Sequence, residues 1–168
     1  MAVELTPRGT RGTTFPTFAR PLMKIMFGVM VGLYRLLGGR GLRMMGQPLV
    51  LLNTVGAKTG QPRHALVCRF PDGDHSWLVV ASFAGSAKHP DWYVNMAKNP
   101  DKVWVEIGKR ELKVRPETLK GAEREAAWQR VLSLAPGYAA YQEKTDRQIP
   151  VVRLTAEPSA LGDRSPAG

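Results

Sequence analysis

The sequence predicts a small antiparallel barrel with helices inserted between its strands, a mainly β fold of the α+β class. Three observations point there. About six short apolar runs are separated by Gly, Pro, Asn and Asp turn signals. The strand-like runs do not alternate regularly with helical ones, which disfavours a Rossmann arrangement. A chain of 168 residues is long enough to bury one hydrophobic core.

Residues 1–15 are rich in Gly, Thr and Arg and are expected to form a disordered basic arm. Residues 17–37 read as a helix. On it Arg20, Lys24, Gly28, Gly32 and Arg35 share one narrow stripe. Most of its remaining surface is Leu, Met, Ile, Val, Phe and Tyr. The uncharged run Ile25–Tyr34 is too short to span a bilayer. A helix lying in the membrane interface fits this pattern, and so does one packed on its own domain or on another subunit. Gly38, Gly39 and Gly41 form a hinge-like break, which makes 16–45 an amphipathic helix with a Gly-rich hinge.

The body spans 46–155. Pro48–Val55 and His64–Phe70 are strands, and Asp72-Gly73 is a hairpin turn before a third, His75–Ser82. Pro90 opens a short helix that Asn99-Pro100 closes. Lys102–Ile107 and Glu111–Pro116 form a hairpin around Gly108. Gly121–Leu134 is a helix, Pro136–Gln142 a short aromatic segment and Ile149–Leu154 a final strand. Residues 156–168 read as a flexible tail.

Charge and chemistry narrow the function. The net charge is +10, and residues 1–71 hold ten Lys/Arg against one acid, Glu4. That asymmetry points to an anionic partner, although a solvated basic arm would leave the same pattern. A single cysteine, Cys68, excludes an intrachain disulfide. The opening residues lack the basic start, apolar run and cleavage site of a secretory leader. A cytoplasmic setting is expected, with peripheral attachment to the inner face of the cell membrane. His64, His75 and His89 lack zinc-like spacing, so no metal is expected. Neither a G-x-S-x-G nor a G-x-G-x-x-G motif is present. No zinc-finger or RNA-recognition pattern accompanies the charge, and nucleic acid is not an expected partner.

Three constellations carry the functional reading. Gly56-Ala57-Lys58-Thr59-Gly60-Gln61-Pro62-Arg63 joins two strands. Its glycines allow inward-pointing amides, and Lys58, Thr59 and Arg63 add donors and charge for an anionic group. It is not a Walker loop, because the lysine precedes the second glycine and a strand follows. Around Ser82, the small residues 81–87 let a flat ligand approach the backbone. Trp92 offers an apolar wall, with Asn95 about one helical turn away. Tyr138 and Tyr141 share a face if their segment is helical. Plain hairpin, core and aromatic-pair readings of these three remain open on the residues alone.

Taken in order, four segments resemble the deazaflavin-dependent nitroreductase family of actinobacteria. They are Leu51–Arg63, Val80–Ser82, His89–Pro100 and Tyr138–Val152. The resemblance implies a split β-barrel, FMN-binding-like, that binds coenzyme F420, whose phosphodiester and oligoglutamate tail would answer the basic charge. It implies that Ala57, Lys58, Thr59 and Arg63 hold the phosphate region. His64, Ala65, Leu66, Val67 and Cys68 would line the deazaflavin. Val80, Ala81, Ser82 and Phe83 would touch its other parts, as would Asp91, Trp92, Tyr93, Val94, Asn95 and Tyr138. It further implies hydride transfer from the reduced cofactor, F420H2, to a small hydrophobic, electron-poor acceptor: an enone, quinone or nitro-heterocycle. Ser82, Tyr138 and Tyr141 are the catalytic candidates. A non-catalytic lipid- or fatty-acid-binding protein on the same barrel is the alternative. Cys68 and Ala135 stand where relatives present tyrosines on the substrate side, and Phe83 where some carry a basic residue.

Overall fold

The computed structural model describes residues 2–16, 18 and 20–158. Thr17 and Ala19, at the start of the expected first helix, and the expected tail from residue 159 onward lie outside these. Eight strands form one antiparallel sheet: β1 Arg43–Met44, β2 Gln47–Val55, β3 Pro62–Cys68, β4 Phe70–Pro71, β5 Ser76–Val80, β6 Trp104–Ile107, β7 Arg110–Thr118 and β8 Val151–Ala156. The helices are α1 Arg20–Leu37, α2 Asp91–Lys98, α3 Gly121–Leu134 and α4 Tyr138–Lys144. The aromatic segment is therefore helical, and β1 is a strand that the Gly-rich hinge concealed.

The sheet closes through one stretch of chain with two partners. β3 pairs with β2 from Val55↔Pro62 to Leu49↔Cys68. Past Arg69 the same stretch leaves β2 and, as β4, pairs Phe70 with Leu78 of β5. β5, β8, β7, β6 and β2 complete the circuit. Along β2, Leu49 and Leu51 enter one core cluster with Phe70, Leu78, Trp128 and Val131. The alternate residues Val50 and Leu52 enter a second, with Val79, Met96, Val105 and Leu154. Burial on both faces is why β2 reads as a continuous apolar run instead of an alternating one.

Helix α1 is fixed to the barrel near its C-terminal end. Tyr34 is almost wholly buried, and its hydroxyl donates to the Glu106 carbonyl at 2.7 Å and the Leu49 carbonyl at 3.3 Å. Gly39 takes φ +72°, and a Cβ there would stand 2.8 Å from the Tyr34 ring. Arg35 pairs with Glu106 at 2.7 Å. Val31 and Tyr34 form the inward face, while Leu22, Ile25, Val29 and Leu36 are each at least 65% exposed.

The N-terminal arm differs from its expectation. Val3 is buried, the Gly9 and Thr13 amides donate to the Ala87 and Gly85 carbonyls at 3.0 Å, and Asp146 receives the Thr10 and Arg11 amides at 2.8 and 3.0 Å. Composition suggested disorder because Gly and Thr bury little apolar surface. The small residues instead let the chain lie close enough to the body for backbone hydrogen bonds.

Tyr34→Phe should lower stability by about 1–2 kcal/mol, because the buried carbonyls lose their donor. Urea denaturation measures this; an unchanged midpoint would mean that Tyr34 holds α1 by packing alone.

Candidate active site

A groove of about 690 Å³ runs along β3, between the 56–63 loop, the Ser82–Ala84 segment, α2 and α4. All five residues from His64 to Cys68 line it. Successive strand residues point to opposite faces, so five in a row line a groove when it follows the strand edge. β3 pairs with β2 on one side and has no strand partner on the other among the described residues. Its outer edge therefore offers backbone N–H and C=O groups to a ligand. From Pro62 to Cys68 that edge runs about 20 Å at ordinary strand rise. Lys58 and Arg63 stand at one end of the groove, and Met44, Cys68, Tyr138 and Tyr141 at the other.

The cationic end is held by local bonds. The Gly56 amide donates to the Gln61 carbonyl at 2.8 Å and the Gly60 amide to the Gly56 carbonyl at 2.9 Å. Gly60 adopts φ +66°, which a side chain would strain. Asn95 is buried and bonded at both ends of its amide: its Oδ1 accepts from Ala57 N at 2.9 Å and its Nδ2 donates to Thr54 Oγ1 at 3.2 Å. Asn95 therefore positions the loop, although it also borders the groove. The Lys58 and Thr59 amides have no protein acceptor among the described residues. With the Lys58 ammonium and the Arg63 guanidinium they form a donor set suited to a phosphate-like anion. His64 is oriented by Asn53 at 2.7 Å, and Asn53 in turn donates to Glu106 and Glu111. The Arg35 hydrogen bond holds the Glu106 carboxyl below its usual range.

At the other end Tyr138 is buried, edge-on to Phe70 and Tyr141 at 5.7 and 5.6 Å. Burial, reinforced by the neighbouring Cys68 thiol, pushes its hydroxyl far above the usual phenol range. Tyr138 is thus a neutral O–H donor and a poor proton-transfer acid at neutral pH. Burial also raises the Cys68 thiol, which donates to the Met44 carbonyl at 3.2 Å. It is a packed thiol, not a thiolate nucleophile.

The Ser82 segment is backbone-strained. Phe83, Ala84 and Gly85 take φ of 45°, 50° and 77° in succession. A left-handed conformation costs a non-glycine residue about 1–2 kcal/mol, so the surroundings must hold it. The buried Arg147 guanidinium does so, donating to the Ala81, Ser82 and Ser86 carbonyls at 3.0, 2.8 and 2.8 Å.

Two predicted site positions stay out of the groove. Ala81 and Tyr93 are fully buried in the core. Alternation along the strand end turns Ala81 inward, and the helical turn of α2 points Tyr93 toward the arm, where its hydroxyl donates to the Glu4 carbonyl. Ala135, which the resemblance put on the substrate side, is also buried in the core and does not line the groove. The remaining predicted cofactor and catalytic positions border the groove. Gly56 and Ala84, from the loop and the small-residue segment singled out in the sequence, border it too, and so do Phe27, Met44, Met45, Thr54 and Pro90, which were not anticipated. The Met44-Met45 pair between glycines was the one available signal for the first strand's contribution. Among the described residues no cluster of His, Cys, Asp or Glu could hold a metal ion.

A curled antiparallel barrel with a strand-edged groove and a cationic loop at one end defines a split-barrel protein with a site for an elongated, anionic ligand. A profile described as F420H(2)-dependent quinone reductase matches residues 27–156. A Mycobacterium tuberculosis protein named F420H(2)-dependent quinone reductase is 41% identical over 128 residues, covering 73% of this chain and 85% of the relative. The solved structure of an F420-H2 dependent reductase, FDR-A, is 39% identical with a TM-score of 0.57, covering 68% of this chain and 99% of that one. A second solved structure, described only as a domain-swapped dimer, is 34% identical with a TM-score of 0.59, covering 80% of this chain and 98% of that one. The chain belongs to the F420H(2)-dependent quinone reductase family, and with it to the oxidoreductases that use coenzyme F420.

Beneath the arm, His89 donates from Nε2 to the Thr6 carbonyl at 2.7 Å, while its buried Nδ1 has no partner. Burial, with Arg147 and Arg8 nearby, lowers its pKa. The unfolded chain, with an ordinary histidine pKa of about 6.5, then takes up a proton before the folded protein does. The stabilisation is complete above that pH and is lost as pH falls toward the depressed folded value. His89→Gln should flatten the slope of melting temperature against pH in this window; an unchanged slope would mean that another group titrates there.

Proposed function

We propose that this protein transfers a hydride from F420H2 to small, hydrophobic, electron-poor acceptors, with quinones foremost and enones and nitro-heterocycles of the same electrophilic class. The observation that carries the reading is the pairing, at opposite ends of one strand edge, of a cationic donor loop and a cluster of neutral hydroxyls. The residues fit the cofactor's parts. The free Lys58 and Thr59 amides with Lys58 and Arg63 suit its phosphodiester and acidic tail. The free edge of β3 and the wall of Trp92 suit a flat polar-edged ring.

The reduced deazaflavin supplies the hydride, and the protein supplies orientation and a water-poor surface. Negative charge develops on the acceptor as the hydride arrives. The Tyr138 hydroxyl, kept neutral by burial, stabilises that charge by donating a hydrogen bond, with Ser82 and Tyr141 as neighbouring donors. The completing proton comes from water. The relatives are named as reductases, and nothing in the comparisons supports the lipid-binding alternative.

No helix among the described residues is long and apolar enough to cross a membrane. The exposed apolar face of α1, edged by Lys24, supports a peripheral position on an anionic membrane surface, with α1 lying in the interface. Hydrophobic acceptors concentrate at such a surface.

Lys58→Ala and Arg63→Ala should each weaken F420 binding by about 1–3 kcal/mol, as lost charge-assisted bonds do. Fluorescence titration tests this, and unchanged affinity in both would move the anion elsewhere. Tyr138→Phe should lower kcat on a quinone more than it changes cofactor affinity; equal turnover would leave Tyr138 a packing residue. Replacing Ile25, Val29 and Leu36 together with Ser should abolish sedimentation with phosphatidylglycerol vesicles while cofactor binding persists. Retained sedimentation would remove the membrane assignment.

A further inference from the structure

We propose that residues 9–15 form a strap that fixes the Ser82–Ser86 wall of the groove and thereby sets which acceptors fit, with Thr13 and Phe15 as positioning residues. This rests on the reductase reading above. The strap lies outside the part of the chain that the family profile matches, which begins at residue 27.

The wall needs an external hold. Its Phe83 and Ala84 both adopt left-handed backbone angles, and Ser82, Phe83 and Ala84 border the groove. Arg147 grips its flanks from inside, at the Ala81, Ser82 and Ser86 carbonyls. Those bonds leave the carbonyls of Ala84, Gly85 and Ala87 free, and these are the ones the strap takes. Thr13 Oγ1 donates to the Ala84 carbonyl at 2.7 Å, Thr13 N to the Gly85 carbonyl at 3.0 Å and Gly9 N to the Ala87 carbonyl at 3.0 Å. Phe15 then stacks on Phe83, with centroids 5.1 Å apart and planes 28° apart. The inner and outer grips together occupy six carbonyls from Ala81 to Ala87.

The strap is itself anchored. The Asp146 carboxylate accepts from the Thr10 hydroxyl and from Thr10 N and Arg11 N at 2.8 and 3.0 Å, and these bonds, the hydroxyl's first, hold its pKa down to about 2. Asp146 and Arg147 are adjacent, so one peptide unit connects the strap's anchor to the inner grip. No side chain is possible at Gly12: a Cβ there would stand under 3.0 Å from backbone atoms of Gly85, Ser86 and Ala87. The sequence Gly9–Phe15 therefore supplies a flat backbone where it meets the wall and an aromatic ring where the wall's own ring faces outward.

The ring stack makes the function specific. Phe83 borders the groove and is 40% exposed, with Phe15 as its aromatic partner. Removing Phe15 frees Phe83 to swing, which changes the width available to an acceptor without touching the Lys58–Arg63 anion end. Wide acceptors feel that change more than narrow ones.

The test compares full-length wild type with Phe15→Ala, Thr13→Val and the conservative Phe15→Tyr. Two readouts are taken: kcat/KM for a one-ring and a two-ring quinone, and tryptic cleavage after Arg11 and Lys88 in cofactor-free protein. In Phe15→Ala and Thr13→Val the two-ring to one-ring ratio should change by about fivefold or more, with F420 affinity within about twofold of wild type. Cleavage after Arg11 and after Lys88 should accelerate together. Phe15→Tyr should restore both readouts. An equal loss on both quinones, or cleavage after Arg11 alone, would overturn the proposal, because the strap would then be a structural appendage uncoupled from the wall. If wild type neither binds F420 nor reduces a quinone, the reductase reading fails. The strap's hold on the wall is then decided by the paired cleavage rates, which need no ligand.

Discussion

The structure depends on a change of partner at Arg69. Upstream, the chain hydrogen-bonds to β2; downstream, it bonds to β5. The two pairings follow one another along the chain and do not overlap, so the outer edge of β3 has no strand partner among the described residues. A free strand edge ordinarily invites another strand. Here α2, α4 and the strained Ser82 segment stand around it, and the edge becomes the floor of a groove instead of a site of aggregation.

Much of this was legible in the residues. The alternation of short apolar runs with turn signals, the helix Gly121–Leu134 and the loop Gly56–Arg63 all appear where local chemistry demands them. These elements are specified by nearest neighbours: a glycine at positive φ, a proline opening a helix, a hydrophobic face of regular period. The missed features depend on distant parts of the chain. β1 has two residues, and its only reason to be a strand is its pairing with Pro48 and Gln47. The order of the arm comes from carbonyls more than 70 residues away.

The site shows the same division. Lys58, Thr59 and Arg63 announce an anion by type and spacing, while Asn95, which borders the groove, also braces the loop through its bonds to Ala57 and Thr54, a role its type and position did not announce. Tyr93, embedded in a motif with Trp92 and Asn95, points the other way and hydrogen-bonds the arm. A motif identifies which residues travel together; the helical turn decides which of them meet the ligand. The pair Asp146 and Arg147 lies inside the Tyr138–Val152 segment that carries the resemblance, but its role was not legible there, since its partners are the arm and the carbonyls of the Ser82 segment.

The arm's hydrogen bonds also make it a gauge. An amide proton bonded to a carbonyl exchanges with solvent when that bond opens, at a free energy set by the local opening reaction. The Gly9 and Thr13 amides are bonded to carbonyls of Ala87 and Gly85, beside the residues that form the groove wall. Their deuterium uptake therefore reports the opening free energy of that contact, read from a segment whose own composition would have promised no protection.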